Sequence, residues 1–109
     1  MKKALFVPVS GELEVWEFTG EQEYDVIRKA VGGWIEGVDL PKQQARLWLN
    51  EEGKLNGLSV NESATSLWVS NYGFTDLIVG DTLITGGIDD EGYTIGLTDE
   101  QVYEISLLF

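Results

Sequence analysis

Two periods organise the apolar positions of this chain. At period two, residues 3–9 place Leu5, Val7 and Val9 on one face, and residues 13–18 set Leu13, Val15 and Glu17 against Glu14, Trp16 and Phe18. With Ser10-Gly11-Glu12 between them, these segments predict a β-hairpin. The period then changes. Tyr24, Ile27 and Val31 recur at helical spacing behind Thr19, whose partner Gln22 completes a capping box, and Gly32-Gly33 stops the run. Residues 34–40 and 43–49 predict two more strands around Pro41-Lys42, the second with Ala45, Leu47 and Leu49 opposite Arg46 and Trp48. A second helix is expected over 60–71 from Val60, Ala64, Leu67 and Trp68, with Gly73 as its stop.

The C-terminal third reads as short strands at 76–80 and 82–85 joined at Gly80-Asp81, then a loop, a seventh strand at 93–97 and a helix over 98–108. Thr98 and Gln101 form a second capping box there. The expected architecture is a small α+β domain, one domain over residues 1–109. It has a mostly antiparallel twisted sheet of six or seven strands and three helices, in the order ββα-ββα-ββ(β)α.

Composition narrows the chemistry. Apolar residues make up 43% of the chain, with four Trp, enough for a core and too many for a disordered segment. Cysteine and histidine are both absent, which removes disulfides, thiolate zinc sites and every Ser-His or Cys-His pair. No catalytic residue, cofactor or metal site is therefore assigned, and a non-enzymatic role is expected. Residues 4–9 are too short an apolar run, and too early broken by Pro8, for a signal-peptide core, so a cytoplasmic location is expected.

Charge changes the picture most. The formal net charge is −12. Residues 1–54 carry ten acids and seven bases, whereas residues 55–109 carry nine acids and no base. A field of that sign repels nucleic acid and anionic membrane, so neither is expected as a direct partner. It favours a basic protein, a cation, or plain solubility.

Four polar sites along the chain are candidates for binding. Asn50-Glu51-Glu52-Gly53-Lys54 suits a type I turn, and its acids either face a ligand or simply line a solvated turn. Asn56-Gly57 is a turn and hairpin signal. Asn61 competes with Ser59 to cap the second helix. Asp89-Asp90-Glu91-Gly92 concentrates carboxylates but lacks the spacing of a calcium loop. The binding candidates are thus Asn50, Glu51, Glu52, Lys54, Asn56, Asn61, Asp89, Asp90 and Glu91.

These same stretches resemble a family of small uncharacterised proteins from actinobacterial phages and Gram-positive mobile elements. The residues that carry the resemblance are Val31-Gly32-Gly33 with Ile35-Glu36, Asn50 to Leu55 with Gly57-Leu58, Asn61 with Ala64-Thr65, Val79-Gly80, and Asp89 to Gly92. Family members often carry a basic pair after the Asn61 position and a proline before Val60; Glu62-Ser63 and Ser59 stand here instead. The resemblance implies an accessory gene product working in a host cytoplasm, and it transfers no activity. Two functions follow as expectations. One is a binder of a basic, nucleic-acid-handling or defence protein of the host, in its strong form a mimic of DNA charge. The other is a module that sequesters a nucleotide-like small ligand at residues 50–65.

Overall fold

The computed structural model describes all 109 residues. Its five strands are β1 (Lys2–Val7), β2 (Glu14–Phe18), β3 (Ile35–Leu40), β4 (Ala45–Asn50) and β5 (Thr82–Gly86). They form one antiparallel sheet in the spatial order β2-β1-β5-β4-β3. The last strand in sequence is thus the central one. β5 lies between β1 and β4, with Ile84 opposite both Leu5 and Leu47, and all five of its residues are buried.

Three helices cover the two faces. α1 (Glu23–Val31) follows a single 3-10 turn at Gly20–Gln22 and sets Ile27, Ala30 and Val31 on Ala4, Phe18, Trp48 and Leu83. On the other face, α2 (Glu62–Tyr72) and α3 (Asp99–Ser106) bring Ala64, Leu67 and Ile105 onto Leu5, Val7, Leu40, Leu47 and Ile84. Alternation along β4 decides the layers: Ala45 and Leu47 point to α2 and α3, while Trp48 points to α1 and donates from Nε1 to Thr85 Oγ1 at 2.9 Å. Burying apolar side chains on both faces is what a strand in a layered sheet requires.

The α+β class, the three helices and both capping boxes follow the sequence expectation. The strand count does not: there are five strands rather than six or seven, in the order ββα-ββα-βα. Residues 76–80 form no strand because their backbone groups go to residues 59–65, to side chains and main chain alike. The amide of Ile78 donates to Thr65 Oγ1 at 2.9 Å, and its carbonyl accepts from the Asn61 amide at 2.8 Å. One bridge, Val60 to Val79, is all that remains of the ladder. Residues 93–97 are diverted in the same way. Thr94 donates its amide to Glu23 Oε1 at 3.0 Å and accepts Lys2 Nζ at 2.7 Å, and the Leu97 amide reaches the Lys3 carbonyl at 2.8 Å.

Smaller differences share one cause, the end of an element. Val9 and Tyr24 are exposed because the sheet and the covered helix face stop short of them. Val60 stays outside α2, which Asn61 caps in preference to Ser59.

The crossing of residues 93–97 over β5 needs glycine. A Cβ on Gly86 would lie 2.7 Å from the Ile95 carbonyl oxygen and 2.9 Å from that of Gly96. Backbone cannot yield as a flexible side chain does, so Gly86→Ala should cost about 1–3 kcal/mol of overpacking strain. Urea unfolding measures this; an unchanged midpoint would mean that residues 93–97 do not hold this position.

Candidate functional site

The candidate residues fall into two groups, at opposite ends of the sheet. Asn50 closes β4 beside the start of β5, while Asp89, Asp90 and Glu91 lie in the loop beyond the end of β5. They do not converge on one pocket.

At the first end the amides are consumed by the fold. Asn61 is fully buried. Its Oδ1 accepts the Ala64 amide at 3.0 Å as the cap of α2, and its Nδ2 donates to the carbonyls of Val7 at 2.8 Å and Gly80 at 2.9 Å. Both donors and the acceptor are in use, which leaves no amide proton for a ligand. Asn50 behaves similarly, donating to the Val31 carbonyl at 3.3 Å and accepting the Glu52 amide at 2.8 Å. Asn56 sits in the exposed turns that follow, where its amide donates to the Glu52 carbonyl at 2.9 Å and Gly57 takes φ 68°. That turn is not the tip of a hairpin, because no strand follows it.

Two depressions border this end. A cleft of about 390 Å³ is lined by Asn50, Asn56, Ser59 and Asp81 with Val9 and Leu58. A smaller one, about 100 Å³, gathers Glu36, Glu51 and Asp76 around Lys54, beside Leu77. Lys54 donates to Asp76 Oδ1. Nothing local in the sequence joins these two residues, which lie 22 positions apart, and Asp76 was not among the candidates. Glu51 and Glu52 are exposed.

At the far end, Asp89 organises its own loop. Its Oδ1 accepts the amides of Glu91 and Tyr93, each at 2.9 Å. Asp90 and Glu91 project into solvent. A cleft of about 610 Å³ lies elsewhere, between Lys42 to Gln44 and α3, with Glu100, Gln101 and Glu104 in its wall. No three His, Cys, Asp or Glu residues are grouped as metal ligands would be. No helix is long and apolar enough to cross a membrane.

Two ion pairs join distant parts of the chain, Lys3 with Asp99 and Lys54 with Asp76. Lys3 Nζ meets Asp99 Oδ1 at 2.6 Å, and that hydrogen bond, with the attraction of the carboxylate, holds the Lys3 amine above its ordinary 10.5. Lys54 and then the Leu77 amide hold the Asp76 carboxyl below its ordinary 3.8.

What the geometry defines is a small acidic α+β domain whose polar motif is spent inside the fold and whose carboxylates are left at the surface. The chain belongs to the family described as a domain of unknown function, DUF3846, whose model matches residues 1–109. Comparison with curated proteins returned no match, and neither did comparison with solved structures.

The Asp76 contact has a signed consequence for stability. A carboxyl whose folded pKa is depressed stabilises above its unfolded value and loses that contribution as pH falls through the folded value. Asp76→Asn should therefore flatten the acid limb of the stability curve below about pH 4, at a cost near neutrality of no more than ~1 kcal/mol, since the pair is solvent-exposed. Thermal unfolding of both proteins between about pH 3 and 7 checks this. Parallel curves through the acid range would show that the pair contributes nothing.

Proposed function

We propose that this domain is a non-enzymatic accessory protein of phage or mobile-element origin. It binds a basic host protein, one that handles nucleic acid or acts in defence, by offering a carboxylate surface in place of DNA charge. The observation that carries this reading is where the acids stand. Seventeen of the nineteen carboxylates are exposed, all but Glu23 and Asp81. Ion pairs occupy only Glu23, Asp39, Asp76 and Asp99. The remaining fifteen carboxylates have no basic side chain within pairing distance, a density that steers a basic partner and lifts its association rate.

The rival reading, a pocket for a nucleotide-like ligand at residues 50–65, has less to support it. The amides of Asn50 and Asn61 are taken by backbone partners. Lys54, the one cation nearby, is taken by Asp76. A phosphate would find no unpaired cation there.

Salt separates charge used on a partner from charge that only burdens the fold. Raising ionic strength to ~0.5 M shortens the screening length to about 4 Å. Like-charge repulsion then falls, so the melting temperature should rise, while affinity for a basic partner should drop steeply over the same series. A pull-down from host lysate at low and high salt, with duplex DNA as competitor, gives the second arm. Recovery of no basic protein, or of one indifferent to salt and DNA, would remove the reading.

A further inference from the structure

One aromatic side chain is displayed on a scaffold that gains nothing from it. Phe74 is 95% exposed. It stands at the apex of the turn that leaves α2, and the turn is tied down on both sides. The Thr75 amide donates to the Gly73 carbonyl at 2.8 Å. Thr75 Oγ1 accepts Trp68 Nε1 at 2.9 Å, and the Leu77 amide donates to Asp76 Oδ1 at 2.8 Å. In the last turns of α2, Trp68 and Tyr72 pack with ring centroids 4.5 Å apart. A fully exposed phenylalanine contributes almost nothing to folding, and one held on a rigid turn loses little entropy when a partner covers it.

The surroundings say what kind of partner. Val69, Phe74 and Leu77 line an open trough of about 480 Å³. Asp76 and Leu77 belong both to that trough and to the acidic depression with Glu36, Glu51 and Lys54. Apolar anchor and carboxylates are therefore contiguous, with three acids against one base. Aromatic anchors beside a charged rim are the usual anatomy of a binding hot spot. We infer that the trough around Phe74 is the docking site for a basic amphipathic segment of the partner, which covers Phe74 and Leu77 with apolar side chains and sets Lys or Arg against the unpaired Glu36 and Glu51. This rests on the acidic-surface reading and adds a location to it.

The probe is a synthetic leucine–lysine amphipathic helical peptide titrated into isotope-labelled protein and followed by amide chemical shifts. Shifts should concentrate at Val69, residues 73–77, Glu36 and Glu51. Phe74→Ser should weaken the peptide by about tenfold or more with an unchanged melting temperature. The Glu36→Gln, Glu51→Gln double variant should weaken it several-fold at low salt and little at high salt. Shifts spread over the whole acidic surface, with Phe74→Ser binding normally, would overturn the docking site and leave the acidic-surface reading standing. Failure to bind the peptide at any salt would count against both. A concentration-dependent dimer that Phe74→Ser dissolves would make a second copy of the chain the occupant and overturn the inference.

Discussion

Three pieces of backbone meet at the side chain of Asn61. The end of β1, the turn before β5 and the start of α2 each present one group to it: the Val7 carbonyl, the Gly80 carbonyl and the Ala64 amide. These groups lie in the interior, where an unpaired carbonyl or amide costs about 1–3 kcal/mol. A carboxamide alone combines two donors with an acceptor in so short a side chain. Thr65, one turn further along α2, extends the clasp by holding both the amide and the carbonyl of Ile78. With residues 78–80 so fixed, β5 enters the sheet between β1 and β4 in register, and the two cores form on either side of it.

This accounts for what could and could not be read from the chain. Helices announce themselves locally: Thr19 with Gln22 and Thr98 with Gln101 predict their own caps, and both boxes are present. The alternation Ala45-Leu47-Leu49 against Trp48 predicts which side of β4 meets which helix. The apolar runs at 76–80 and 93–97 look like ladder residues, whereas their hydrogen bonds go to Asn61, Thr65, Glu23, Lys2 and Lys3, through side chains and main chain. Those partners are distant in sequence, so no local pattern reveals them. The same is true of Lys54 with Asp76. Phe74 fits neither period, and that misfit is itself the signal that it belongs to no core.

Motif and surface thus carry different loads. Asn50 and Asn61, the most distinctive residues of the polar motif, shape the fold; Glu51 and Glu52 beside them, and Asp90 and Glu91 at the other end of the sheet, are free to face a partner. Acids that do structural work are few, chiefly Asp89 in its loop and the four in ion pairs. The rest repel one another, and a charge excess of that kind is tolerated because the clasp and the double-faced sheet hold the chain against it.

The claim that Asn61 is structural can be tested by itself. Asn61→Ala removes the cap and strands the buried Gly80 carbonyl, while the Val7 carbonyl keeps Thr82 Oγ1 at 2.9 Å, so urea unfolding should show a loss of about 2 kcal/mol or more. If the variant loses less than about 1 kcal/mol, typical of an exposed polar side chain, the clasp is not what organises this fold, and Asn61 returns to the list of residues available to a ligand.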